Sequence, residues 1–174
     1  MKRIMEIRLV IAVTVLVSMM GCGSLSDKIK SDCISQNMSE MTLRWGGHNY
    51  KTNHLAGYQI DANLNLYKFV KGSSTEYKTE EIGKVDNDRF CELLKTTKKL
   101  FIEIQALNAP GDSSNFVELI NPGTNTNLRA VWNVRFKTHG SKEFRALFDS
   151  LDLFVINNPA VFLKEGNSPN NSVK

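Results

Sequence analysis

Two histidines, His48 and His54, stand six residues apart in GGHNYKTNHLAG with Tyr50 between them. Imidazole is a common ligand of transition metals, and two on one loop could begin a metal site. No cysteine or carboxylate accompanies them in that stretch. They therefore read as polar residues of an exposed Gly/Asn loop, and neither metal nor cofactor is expected. The usual signatures of hydrolytic and phosphate chemistry do not occur either: no Gly-x-Ser-x-Gly elbow, no His-Glu-x-x-His, no phosphate-cradling glycine loop and no CxxC. What remains is suited to binding. Arg129, Asn133 and Arg135 alternate along one segment, so in a strand they share a face; a plain solvated sheet face is the simpler reading, and a face able to hold a carboxylate or a partner chain is the alternative. Two loops, NAPGDSS and NPGTNTN, supply Asn108, Pro110, Gly111 and Asp112, and Asn121, Pro122 and Gly123. Loops held on a rigid scaffold often carry binding groups, although ordinary turn chemistry also explains this composition. Lys95, Lys98 and Lys99 cluster late in a predicted helix, where they suit either anionic headgroups or simply the helix dipole.

The elements that must position these groups follow from apolar periodicity. Short alternating runs predict strands at 41–45, 57–60, 64–70 and 76–85, with a Gly-rich loop after the first and turns at 61–63 and 72–75. A helix follows, with Asp86, Asn87 and Asp88 as possible caps and a stripe of Phe90, Leu93, Leu94, Thr97, Leu100, Phe101 and Ile104. Strands at 115–120 and 128–136 flank NPGTNTN as a hairpin; Leu128, Ala130, Trp132, Val134 and Phe136 fall on its apolar side. A second helix over 141–155 puts Phe144, Leu147, Phe148, Leu151 and Val155 on one face, the first four of them expected to meet the sheet. A shift of 54 residues lays Phe90 on Phe144, Leu93 on Leu147 and Leu94 on Phe148. Such an echo fits a duplicated strand–strand–helix unit, and it also fits two unrelated amphipathic helices. Either way the expected class is α+β, an antiparallel sheet with two amphipathic helices packed on one face.

Composition bounds the rest. The chain has 174 residues and a formal charge of +4. Its first eight residues carry Lys2, Arg3 and Arg8 against Glu6, and residues 9–17, LVIAVTVLV, contain one polar residue, Thr14. A cationic start, a short apolar core and small residues behind it make a secretory signal peptide. The run is too short for a spanning helix, which needs about 20 apolar residues. Without residues 1–21, the loss of three basic residues and one acidic one lowers the charge to +2. A polycation for nucleic acid is thereby excluded. Nine Phe and two Trp in a chain with 41% hydrophobic residues are enough for one core, so general disorder is excluded as well.

The end of the apolar run, MMGC at residues 19–22, resembles the lipobox of bacterial lipoproteins. Gly21 and Cys22 match its pattern, while Met19 and Met20 depart from its commonest residues. The resemblance implies a diacylglycerol on the Cys22 sulfur and cleavage that leaves Cys22 as the first residue. Ordinary signal peptidase cutting after Gly23 is the competing reading. In that family an aspartate after the cysteine often retains the protein at the inner membrane; Gly23 stands there instead, which favours the outer membrane. If Cys22 is acylated, Cys33 and Cys91 remain, and in an exported protein they are expected to pair; the alternative is Cys91 as a buried free thiol. The organisation expected is a signal peptide at 1–21, a lipidated cysteine and polar tether at 22–40, one α+β domain at 41–163 and a flexible tail at 164–174. The function expected is non-catalytic binding or scaffolding at the membrane of the cell envelope, with a protein or small-molecule partner. The alternatives are an envelope hydrolase with a dispersed site and an inhibitor of an envelope or host hydrolase.

Overall fold

The computed structural model describes residues 33–72, 76–105 and 107–158. The signal peptide, Cys22, the tether up to residue 32, part of the turn at 72–75, residues 159–163 and the tail at 164–174 lie outside them. Seven strands, β1 (Thr42–Asn49), β2 (His54–Asp61), β3 (Asn65–Lys71), β4 (Lys78–Lys84), β5 (Asn108–Ala109), β6 (Ser113–Asn121) and β7 (Thr126–Asn133), form one sheet. Its order is β4-β3-β2-β1-β6-β7-β5. All pairings are antiparallel except β5 with β7. Two helices, α1 (Asn87–Ile104) and α2 (Ser141–Ile156), complete the α+β architecture.

Both helices cover the same side of the sheet. Phe90, Leu94 and Phe101 of α1 and Phe144, Leu147, Leu151 and Phe154 of α2 share one core with Leu43, Trp45, Ile60, Val117, Ala130 and Trp132. The two tryptophans are fully buried in it. Trp132 stacks on Phe144, with ring centroids 6.1 Å apart. Asp86 caps α1, its carboxylate accepting from Arg89 N at 3.0 Å. The turn at 61–63 is closed by Asp61, which accepts from the backbone N–H of Asn63 and of Asn65, both at 2.9 Å.

Three departures from the expected pattern have local causes. The Gly-rich stretch is strand rather than loop: β1 runs on through Gly46, Gly47 and His48, and β2 begins already at His54. Strand β7 stops at Asn133, so Val134 and Phe136 leave the apolar face and Phe136 is 68% exposed. Arg145 of α2 ends the strand by donating to the carbonyls of Asn133, Val134 and Phe136. Phe148 meets the sheet as expected, edge-on to Trp132 at 5.9 Å, though only half-buried at the margin of the core. Residues 33–40, assigned to the tether, pack on the domain: Ile34 is buried, Asn37 O accepts from Asn121 Nδ2, and Cys33 is disulfide-bonded to Cys91 of α1.

Candidate functional site

The sheet face turned away from the helices is built in rows that cross the strands. Strand register aligns Tyr67, Gln59, Arg44, Glu118 and Arg129 in one row. Phe69, Gly57, Gly46, Phe116 and Val131 make the next. Two intervening strands would hold Phe69 and Phe116 roughly 14 Å apart at the backbone. Their ring centroids nevertheless lie 6.4 Å apart, because no side chain stands on Gly46 or Gly57 between them. A Cβ added to Gly57 would lie 2.6 Å from Gly46 Cα and nearer still to the Trp45 carbonyl oxygen. The two backbones therefore approach too closely for any residue but glycine. Leu55 and Val131 complete this second, smaller core.

Charged groups roof it. The Arg44 guanidinium sits 5.3 Å from the Phe69 ring and 5.4 Å from that of Tyr77, and Arg129 lies 5.2 Å from the Phe116 ring. Arg44 also donates to Gln59 Oε1 at 3.1 Å and stands 3.7 Å from Glu118. Arg129 is thus on the free face. Asn133 shares that face but spends its Oδ1 on Arg135 N at 2.8 Å. Arg135 lies beyond the strand, so the three residues do not form one polar patch.

The two candidate loops are separated by the length of β6, roughly 27 Å. At one end Gly111 packs on Asn133, where an added Cβ would fall 2.6 Å from Asn133 Cγ. The Gly111 N–H donates to Ser114 Oγ at 2.8 Å. Asp112 accepts from Tyr50 N at 2.9 Å through its carbonyl and pairs with Lys51 at 2.7 Å through its carboxylate. Lys51's hydrogen bond and charge hold the Asp112 carboxyl below its ordinary range, with a further push from Arg135, and the same bond raises Lys51. Asn108 and Pro110 are exposed beside them. At the opposite end Pro122 opens a tight 3-10 turn, Gly123 lies against Asn37 O, and Asn121 Nδ2 holds Thr124 at 2.8 Å. Asn121, Pro122 and Gly123 thus serve chain reversal and anchoring of the N-terminal segment.

His48 and His54 project to opposite faces, since His54 is paired with Asn49, the next residue along β1. They cannot share an ion. Among the described residues no group of three or more His, Cys, Asp or Glu could hold a metal. The His48 and Tyr50 rings meet at a tilt, their centroids 3.9 Å apart. On the helix side, beyond the reach of the helices, a cleft of about 270 Å³ lies over Gly47, bordered by His48 and His54 with Asn49, Ala56, Ser113, Asn115 and Val134. No spacing in the sequence marks this cleft, because its residues come from three strands and the segment after β7. A wider hollow of about 870 Å³ runs along the outer side of α1 beside the disulfide. There Lys95, Lys98 and Lys99 are offset by Asp88, Glu92 and Glu103. Burial lowers Lys98 below its ordinary pKa. Asp152 of α2, half-buried against the core, accepts from Trp45 Nε1 at 2.9 Å, and burial raises its carboxyl.

No protein-family model matches the chain, and no curated protein matches it. The molecule is therefore described by its α+β architecture, a seven-stranded, mostly antiparallel sheet with two helices on one side, and by these surfaces.

Proposed function

We propose that this chain is a lipid-anchored protein of the bacterial cell envelope that binds a partner there without catalysis. The observation that carries the reading is the Cys33–Cys91 disulfide. Structural disulfides belong to oxidising, exported compartments. This one also consumes two of the chain's three cysteines, leaving Cys22 as the remaining thiol, at the place the lipobox-like MMGC assigns to a lipid. Gly23 after the cysteine favours the outer membrane. Lipoproteins carry two or three chains on that cysteine, and at about 0.8 kcal/mol per buried CH₂ they make a stable anchor where one chain would bind only reversibly.

Binding rather than turnover is supported at Ser114 and the two described cysteines, whose reactive groups are engaged within the fold. The Ser114 hydroxyl is held by both backbone groups of Gly111, and both described cysteines are in the disulfide. Cells fed labelled palmitate test the anchor. Wild type takes up label and sediments with membranes, and Cys22→Ser takes up none and either stays as precursor or becomes soluble. Label in the serine variant, or none in wild type, would refute the anchor.

A further inference from the structure

The cleft over Gly47 is built differently from the rest of the sheet. Its floor is bare backbone, because Gly47 stands opposite Ala56 on one side and Asn115 on the other. A Cβ there would meet nothing nearer than Asn115 Oδ1 at 3.7 Å and Ser114 O at 3.9 Å. The backbone of Gly47 does not require glycine, unlike that of Gly46 and Gly57, so the missing side chain leaves space rather than relieving a clash. Asn115, Ser113 and His54 border this space, and the described structure gives their side chains no hydrogen-bond partner within the protein. Asn49 adds an amide nitrogen, since only its Oδ1 is spent, on the N–H groups of Lys51 and Thr52. Ala56 and the partly exposed Val134 supply apolar surface between these groups. No Asp, Glu, Lys or Arg lines the cleft.

A ligand that fits has a flat face of C–H groups and a rim of neutral donors and acceptors. With no carboxylate, lysine or arginine there to pair with a charge, an uncharged ligand fits best. At about 270 Å³ the cleft falls just below the roughly 300–1,000 Å³ of pockets for drug-sized ligands, so it takes one ring. We propose that the cleft over Gly47 binds a single uncharged sugar ring, the C–H face lying on Gly47, Ala56 and Val134 and the hydroxyl rim meeting Asn115, Ser113 and His54. The site stands independently of whether Cys22 is acylated.

The full chain, purified in a detergent without sugar headgroups, is titrated with N-acetylglucosamine and with methyl β-glucoside while backbone amide shifts are followed. Saturable shifts centred on residues 47–49, 54–56 and 113–115 are expected with at least one probe. Gly47→Leu fills the cleft and lowers the affinity at least tenfold. Asn115→Ala removes a side chain with no bond of its own in the fold and does the same, which keeps the test decisive should the leucine variant fold poorly. Absence of saturable binding by both sugars overturns the proposal. So does binding that Asn115→Ala leaves unchanged, or shifts that centre elsewhere.

Discussion

Replacing Gly57 by alanine adds one methyl group, yet the close approach of β1 and β2 makes it costly. Carbon atoms in contact normally sit about 3.5–4.0 Å apart. The new Cβ would stand 2.6 Å from Gly46 Cα, with the Trp45 carbonyl oxygen closer still, and neither backbone can rotate aside. Strands β1 and β2 must separate by about 1 Å, which stretches their ladder at the centre of the sheet and parts Phe69 from Phe116 above it. Overpacking costs about 1–3 kcal/mol in general, and a clash with backbone rather than with a flexible side chain belongs at the upper end. A loss of about 3 kcal/mol is therefore expected for Gly57→Ala, a large part of the roughly 5–15 kcal/mol of a typical domain. Gly47→Ala is the internal control. Its Cβ finds ordinary van der Waals room, so it should be neutral or stabilise by about 0.5 kcal/mol through the unfolded chain. Urea denaturation followed by tryptophan fluorescence reads both. If Gly57→Ala keeps the wild-type midpoint, or Gly47→Ala falls as far as Gly57→Ala, the close approach of β1 and β2 is not what shapes the sheet.

Reducing the Cys33–Cys91 bond releases a constraint across a sequence separation of 58 residues, which the chain-entropy account values at about 4 kcal/mol; denaturation with and without reductant should differ by that order, and coincident curves would remove the bond's structural role. Arg145→Met leaves three carbonyls without their donor and should cost roughly 1–3 kcal/mol, with faster amide exchange near residues 133–136. Unchanged exchange there would mean the strand ends for another reason. Phe144→Ala should cost about 3–5 kcal/mol as a buried aromatic, and Phe148→Ala, half-buried, roughly half as much; equal losses would contradict the placing of Phe148 at the core margin. Because burial raises the Asp152 carboxyl in the fold, the native state holds that proton to higher pH than the unfolded chain does. Its contribution to stability therefore falls as pH rises from the unfolded value of 3.8 through the raised folded one. Asp152→Asn should remove that part of the pH dependence while keeping an acceptor for Trp45, and an unaltered acid-side profile would show that Asp152 does not titrate as described.

The helices were legible because their stripes repeat at three and four residues and a capping aspartate precedes the first. Most strands were legible from alternation. Glycines hid the rest: a Gly-rich run has low strand propensity, and its role in letting β1 and β2 close appears only when Gly46 is set opposite Gly57. The apolar alternation through Val134 and Phe136 overran the strand because its terminator, Arg145, lies on another element. Strand β5 has two residues and no period to read. Arg129 lies over Phe116, opposite Glu118. The two candidate loops looked alike in composition, but only the register of β6 reveals that they occupy opposite ends of it. The cleft over Gly47 left no trace in the sequence, since its polar groups come from separate strands and its defining feature is a side chain that is not there.

The anchor itself is tested most directly at the protein's own N-terminus. The protein is extracted from membranes of cells expressing the full chain, digested, and its N-terminal peptide weighed by mass spectrometry. A peptide beginning at Cys22 is expected, its mass exceeding that of the bare peptide by a diacylglyceryl group, with or without a further amide-linked acyl chain. A peptide beginning at Ser24 without lipid, or at Met1 with the signal peptide intact, would contradict it.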